Sequence, residues 1–361
     1  MKILVWLTFL FLIHFMLQAQ TTITGVVSDS SDNPIPNATV YLSKTTFGVL
    51  ADAAGTYSLK IPQNGTYELI TSCVGYKTHS QIIKADGADK TINIKLQERK
   101  ILIQEVTVKD KDRNRRKNYE LFKICFIGVT QNAPFCTIEN PKDLIVYRES
   151  SGINMIAYST KPLIITNSAL GYRIIYQLEN FMYNLNTKHL RFSGDYYFQD
   201  ISNQKAKNSR TDRNRLIAYY GSRMHFLRTL FSDSISQENF EMCDYRLDSC
   251  GTRWELTNSI QGSDLRKFSD IEHVTLYHHN PIVIFYSNCH SELYPLPNIF
   301  RPYTYSTRII FSDSIQVFKN GYYSDFRNLS WGGAMANRIA EMLPYDFVPK
   351  TKGEYKSTPN K

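Results

Sequence analysis

Residues 66–82 read TYELITSCVGYKTHSQI. Tyr67, Leu69 and Thr71 alternate with Glu68, Ile70 and Ser72, the period-two pattern of a strand. Gly75 interrupts the pattern, and a glycine inside a strand marks a bulge or a bend. The reading places Gly75 at a bend in a late strand, Tyr76 across the sheet edge or core, Lys77 outward, and Cys73 in a buried strand position. Working outward, the runs TITGVVS, ATVYLS, TYSLKIP, TYELITS, KTHSQII and TINIKL are separated by breaks rich in Gly, Pro, Asn and Asp. Six or seven short strands between Thr21 and Leu96, with no helical period, predict a small β-sandwich. Pro34 and Pro36 keep the SDNPIPN turn out of any central strand, and Ile35 between them is expected beneath the sheet.

The whole chain has 361 residues, 42% of them hydrophobic and 21% charged, which suits two globular domains rather than a disordered polymer. MKILVWLTFLFLIHFMLQAQ joins a basic start at Lys2 to an apolar run over residues 3–17 and reads as a signal peptide, residues 1–19, cut after Ala19. The run is short of the ~20 residues a membrane span needs, and no later stretch is apolar for long enough. No cysteine stands near the cut, so lipid anchoring is not expected. The mature protein is expected in the periplasm or at the cell surface, soluble or held by a partner.

The formal charge is +9, with much of the excess in KDKDRNRRKN at 109–118. Asp110 and Asp112 interrupt that block, which reads as a solvated linker; a basic patch for an anionic membrane or polysaccharide is the other reading, and nucleic acid is not expected. Six cysteines follow the leader: Cys73, Cys125, Cys136, Cys243, Cys250 and Cys289. In an oxidising compartment the pairs Cys243–Cys250 and Cys125–Cys136 are candidate disulfides; buried free thiols are the alternative.

The chain divides into the leader (1–19), the sandwich (20–97), an edge strand and basic linker (98–118), an α+β region (119–350) and a polar tail (351–361). In the third segment ILIQEVTV alternates, and the charged run after it reads as linker or the lead-in to a helix. YELFKICFI has helical spacing at Leu121, Phe122, Cys125 and Phe126. A long helix is predicted from about Asp212 to Phe231, with Leu216, Tyr220, Met224, Leu227 and Phe231 as its buried stripe and Asp212 or Thr211 as N-cap. Strands are expected in PLIITN, YRIIYQLENFMY, LRFSGDYYF, HVTLYHHNPIVIFYSN and YSTRIIFS, and a hairpin at Asn320–Gly321 in IQVFKNGYY. A last helix, AMANRIAEML, is predicted to bury Met335, Ile339 and Met342 and to stop at Pro344.

GVVSDSSDNPIPNATVYL, GVLADAAGTYSLKIP and YELITSCVGYKT together resemble the carboxypeptidase regulatory-like domain, over about Ile23 to Leu96. The residues that carry the resemblance are Gly25, Pro34–Ile35–Pro36, Ala38, Asp52, Gly55, Tyr57 and Gly75–Tyr76, with Ala51 where the family has threonine. The resemblance implies a transthyretin-like (prealbumin-like) sandwich in an exported bacterial protein. LIQEVTV resembles the segment that joins this domain to the plug of TonB-dependent receptors, but the roughly 240 residues that follow cannot supply a large 22-stranded barrel. NAPFCTIENPKDL, STKPLIITNSALGY, YYGSRMHFLRTL and RIAEMLPYDFVP resemble the region accompanying the domain in exported, functionally uncharacterised proteins of Gram-negative bacteria.

A metallocarboxypeptidase needs a His and a Glu close in sequence to hold zinc, and no histidine here has a glutamate three residues after it and no H-E-x-x-H occurs. The densest ligand-like group is His278, His279, Cys289, His290 and Glu292, but a continuous strand would put His279 and Cys289 about 30 Å apart. Only a turn at Asn280–Pro281 would bring them together. No nucleophile elbow, phosphate loop or dinucleotide fingerprint is present. Ser222 and His225 lie three residues apart on the long helix and read as packing. Tyr196–Tyr197 and Tyr322–Tyr323 are candidate sugar platforms, and no pair of carboxylates stands out. The two Asp-Ser-Ile triplets at 233–235 and 313–315 resemble a bacterial O-glycosylation acceptor.

The sequence therefore predicts an all-β transthyretin-like sandwich followed by a strand-rich α+β domain, in an exported, non-enzymatic envelope protein that binds a protein or glycan. No catalytic, cofactor or metal residue is assigned. The alternative is a peptide or glycan hydrolase with its site in residues 119–350.

Overall fold

A computed structural model describes residues 20–98, 114–149, 151–202, 209–247, 254–287, 306–324, 326–333, 335 and 338–349. The predicted leader, the basic block up to Arg113 and the polar tail lie outside them.

The sandwich has eight strands among the described residues: β1 (Thr21–Ser28), β2 (Thr39–Leu42), β3 (Gly48–Leu50), β4 (Thr56–Ile61), β5 (Gly65–Ser72), β6 (His79–Ala85), β7 (Lys90–Thr91) and β8 (Ile94–Lys95). One sheet runs β4-β1-β7, with β8 also on β1; the other runs β3-β2-β5-β6. Ile23, Val27, Val40, Leu42, Leu59, Ile61 and Leu69 fill the space between the sheets, and Ile35 tucks in beneath them as expected. The stretch at 66–82 is two strands and a turn rather than one bent strand. Strand β5 ends at Ser72, the Tyr76 amide closes a turn on the Cys73 carbonyl, and Gly75 adopts φ +91°, a backbone region open to glycine. Tyr76 packs against the sandwich core and Lys77 faces solvent. Cys73 falls one residue past the strand and is half-buried, short of the full burial expected.

The body begins with helix α1 (Arg115–Phe126), whose lead-in is the end of the basic block. Six strands follow: β9 (Cys136–Ile138), β10 (Leu144–Arg148), β11 (Asn154–Ser159), β12 (Leu163–Asn167), β13 (Tyr172–Asn184) and β14 (Leu190–Asp200). They pair antiparallel in the order β10-β11-β13-β12-β9, with β14 along β13. Phe122 and Phe126 of α1 bury against Phe181, Tyr176 and Phe192 of this sheet, with ring centroids 4.8–6.5 Å apart.

Eight further strands build a second apolar cluster: β15 (Phe240–Leu247), β16 (Trp254–Ile260), β17 (Arg266–Ser269), β18 (His273–Leu276), β19 (Ile282–Tyr286), β20 (Ser306–Phe311), β21 (Ile315–Phe318) and β22 (Leu329–Gly333). They form a five-stranded sheet, β16-β15-β19-β20-β22, and a three-stranded one, β17-β18-β21. The Asn320–Gly321 turn is as expected: Gly321 has φ +84° and donates to the Phe318 carbonyl.

The predicted long helix is two helices, α2 (Ser209–Tyr219) and α3 (Arg223–Ser232). Gly221 breaks it, with φ +77° and a position where a Cβ would lie 2.6 Å from the Tyr286 ring. Ser222 then caps α3, its hydroxyl accepting from the His225 amide at 3.2 Å. Helix α2 already runs at Ser209, so Asp212 sits in its first turn and neither it nor Thr211 is the N-cap. The stripe survives in part: Leu216, Met224 and Leu227 are buried, Tyr220 and Phe231 half-buried. Among the described residues of the expected last helix there is one 3₁₀ turn, Ile339–Glu341, preceded by an extended Arg338 (φ −110°, ψ 162°) and followed closely by Pro344. Met335 and Ile339 are buried as expected, while Met342 is half-buried.

The sandwich is clamped to the body through the loop between β2 and β3. The Lys44 amide donates to the Tyr196 carbonyl at 2.7 Å, and the Phe198 amide to the Thr45 carbonyl at 2.8 Å. The Tyr345 amide reaches the Lys44 carbonyl at 2.8 Å, and the Asp346 carboxylate accepts from the Thr46 amide at 2.8 Å and from its hydroxyl. On the outer face of β2, the Tyr41 ring lies against Tyr197 of β14, centroids 4.6 Å apart. Tyr41 and its cross-strand partner Ile70 are therefore buried although they point away from the sandwich core.

Candidate functional site

The most site-like polar group forms at a bulge in β15. Pairing with β16 slips between Cys243 and Tyr245, leaving Asp244 at the irregularity, and bulges re-aim side chains. Asp244 is 3% exposed. Its Oδ1 accepts from His278 Nε2 at 2.5 Å, and its Oδ2 pairs with Arg246. Asn280, its amide oxygen turned to Arg246, accepts from Nε at 3.0 Å and from Nη2 at 3.1 Å. Burial alone pushes the Asp244 carboxyl up; hydrogen bonds from His278 and Arg246 outweigh it and hold the group below the usual carboxylate range.

The loop that brings His278 here breaks HVTLYHHNPIVIFYSN into β18 and β19, and the Tyr245 amide ties it down on the Pro281 carbonyl at 2.9 Å. The strand does break before Pro281, with bends at His279 and Asn280, and the break delivers His278 to a carboxylate. Cys289, His290 and Glu292 of the ligand-like group lie outside the described residues. Among the described residues no group of three His, Cys, Asp or Glu is placed to hold a metal ion. A buried carboxylate on one imidazole nitrogen fixes the ring's orientation and leaves the other nitrogen as its proton-handling face, the arrangement of acid–base pairs.

A second carboxylate group sits where the sandwich meets the body. Asp195 of β14 is pushed up to about 6 by burial first, then by the negative charges of Glu68 and Glu179, with Lys44 opposing. Glu68 comes from β5, and Glu179 is the unpaired residue at a bulge in β13, where pairing to β14 jumps from Leu178 to Asn180. The sequence pointed to no carboxylate pair because this one is assembled from two domains.

The remaining candidates resolve as structure. His225 Nδ1 accepts from the Gly221 amide at 3.1 Å, so Nε2 carries the proton and faces Glu238 at 3.2 Å. The Ser222 hydroxyl is occupied as a cap and is not activated by His225. The tyrosine pairs are not free platforms. Tyr196 stacks on Tyr176 at 5.1 Å, Tyr197 lies on Tyr41, and Tyr323 is buried. Cys125, Cys136 and Cys243 carry free thiols, so Cys125–Cys136 and Cys243–Cys250 do not form; Cys250 itself lies outside the described residues. Burial raises the Cys136 thiol to about 12, which makes it inert.

Comparison with known proteins gives partial matches. Structural protein 27 of a virus (isolate Australia/Victoria) is 25% identical over 174 residues, which is 45% of this chain and 34% of the viral protein. The chain thus spans about a third of that relative's length. Among solved structures, a type II cohesin–X-dockerin complex from Acetivibrio cellulolyticus matches 21% of this chain and 56% of its own at 25% identity and a TM-score of 0.19. The streptococcal ancillary pilin matches 23% of this chain and 34% of its own at 14% identity and a TM-score of 0.20. Catechol 1,2-dioxygenase from Acinetobacter sp. ADP1 matches 23% of this chain and 53% of its own at 12% identity and a TM-score of 0.19. Residues 23–108 match the family model of the CarboxypepD_reg-like domain, the family whose motifs the N-terminal sequence carries.

Proposed function

We propose that this is an exported, non-enzymatic envelope protein in which the sandwich is an interaction module for an envelope protein or glycan, carried on the larger body. The observation that carries this reading is the clamp at Lys44–Thr46. It fixes one sheet face of the sandwich against β14 and leaves Leu50, Val74 and Ile82 (62%, 77% and 61% exposed) around its rim. Exposed apolar side chains on a rigidly held module are what a partner surface uses. The viral relative is described as a structural protein, which accords with a non-catalytic role. Among the described residues no helix is long and apolar enough to cross a membrane, so attachment through a partner is the expected mode.

The test is co-sedimentation of the purified mature protein with isolated cell envelope. Binding is expected for the native chain and to fall about tenfold in a Leu50→Glu, Ile82→Glu variant that still folds. Equal binding by both, or none by either, overturns the reading. The Asp244–His278 pair favours a second reading, a hydrolase of peptides or glycans. It predicts turnover in a substrate screen that Asp244→Asn or His278→Ala abolishes.

A further inference from the structure

Away from both carboxylate groups, Arg223 at the start of α3 lies over the ring of Trp331 in β22, its guanidinium carbon 4.8 Å from the ring centroid. Nη2 makes a single long bond, 3.3 Å, to the Met335 carbonyl. Arg223 Nε and Trp331 Nε1 are both buried with no hydrogen-bond partner among the described residues. Buried N–H groups are nearly always paired, so two orphans side by side call for an explanation. Among the described residues no carboxylate forms an ion pair with Arg223, although buried charges are normally matched.

The surroundings add positive charge and phenol groups. Arg338 is partly desolvated, and the nearby charge of Arg223 further disfavours its protonated form. Arg223, Tyr323 after the β21 turn and Tyr345 of the C-terminal segment stand close enough to Tyr196 of β14 to act on its phenol, and Arg223 and Tyr323 act likewise on that of Tyr345. Every one of these groups is a cation or can donate a hydrogen bond, and among the described residues no acid pairs with Arg223 to balance them. A buried water would accept from the two N–H groups but would leave the charge unmatched. An oxyanion matches both.

We propose that Arg223, Trp331, Tyr196, Tyr323 and Tyr345 form a binding site for an oxyanion, a carboxylate or phosphate group carried by a small ligand. Arg223 Nε and Trp331 Nε1 donate to the anion's oxygens, and the phenols complete the donor set. The aromatic rings around it suit a ligand with an apolar or sugar body behind the anionic group.

The experiment is a thermal-shift and calorimetric titration of the mature protein with inorganic phosphate, glucuronate and uncharged glucose at matched ionic strength. Phosphate or glucuronate is expected to raise the melting temperature in a saturable way and glucose is not; whichever anion saturates identifies the group. Arg223→Met is expected to abolish the anion-dependent shift while keeping the native fold by circular dichroism; it removes a half-buried guanidinium whose Nε has no partner among the described residues. Trp331→Phe is expected to weaken binding about tenfold, the loss of one charge-assisted hydrogen bond. Should Arg223→Met fail to fold, Trp331→Phe alone carries the test. No saturable response to either anion, or an equal response in the native chain and the variants, overturns the proposal.

Discussion

Strand β5 of the sandwich and strand β13 of the body are both antiparallel, both central, and both alternate in sequence. In β5 one alternating set, Tyr67, Leu69 and Thr71, is buried, and Ile70 on the other face is buried as well because the body covers it. In β13 the buried residues are Tyr172, Ile174, Tyr176 and Leu178, and then the phase reverses to Phe181 across the bulge at Glu179. One strand gains a second buried face from a neighbouring domain; the other changes its inward face in mid-course. Both departures put acids at the joint, Glu68 on β5 and Glu179 on β13, around Asp195. Interdomain contact and bulges, more than the strands themselves, place the polar chemistry of this protein.

The largest effect expected is that of Phe126→Ala. The ring is fully buried against Tyr176, Phe181 and Phe192, and its loss should destabilise the body by about 3–5 kcal/mol. Urea unfolding should then show the body melting early while the sandwich, with its own core, keeps its transition. A single shared transition that moves as a whole would break the comparison.

Asp244→Ala leaves Arg246 and His278 without their buried partner and should cost about 3 kcal/mol at neutral pH. Because the folded-state pKa of Asp244 lies below its unfolded value, the stability it supplies is present above about pH 4 and is lost as the pH falls through the folded value. The difference between native and Asp244→Asn stability curves should therefore shrink on acidification below that point. A constant difference would remove the ion pair from the account.

Gly221→Ala should cost about 1–3 kcal/mol, since it meets both a positive φ and the Tyr286 ring. If α2 and α3 were one continuous helix the same change would stabilise it, so the sign of the shift in melting temperature decides. Asp195 works in the opposite sense to Asp244. Its folded pKa of about 6 lies above the unfolded value, so the folded state takes up a proton and gains stability as pH falls from about 6 towards 4. Asp195→Asn should raise stability at pH 7.5 by about 1 kcal/mol and have little effect at pH 4, in thermal melts at the two values. The smallest change expected is Thr46→Val, which removes one hydroxyl bond to Asp346 for about 0.5–1.5 kcal/mol. Its signature is faster amide exchange in residues 42–47 with the sandwich core unchanged.

The sandwich was legible because its signals are local. Gly75 at a turn, Ile35 between two prolines and the alternation around Tyr57 and Leu59 each specify the backbone or the inward face from a few neighbouring residues. Helix α1 was legible for the same reason, through the spacing of Phe122, Cys125 and Phe126. Gly221 reads in the sequence as a mid-helix glycine that lets another element pack closely, which holds; that it ends the helix, and that the neighbour is Tyr286 far along the chain, was not legible. The candidate sites were less legible still. His278 stood out among possible metal ligands and Asn280 as a turn residue, while Asp244 and Arg246 carried no signal of their own, since a bulge and a loop between strands bring them together. Arg223 and Trp331 likewise belong to elements about a hundred residues apart.

By itself, then, the sequence determined the local conformations: which runs alternate, where the backbone must turn, and that the N-terminal module is a two-sheet sandwich. The tertiary structure alone decided which outward faces are covered, which carboxylates share a site, and that Arg223 meets no carboxylate among the described residues. The physical reason is range. Backbone preference and side-chain periodicity act over a few residues, whereas burial and charge pairing depend on which distant segments the chain brings within a few ångströms of one another.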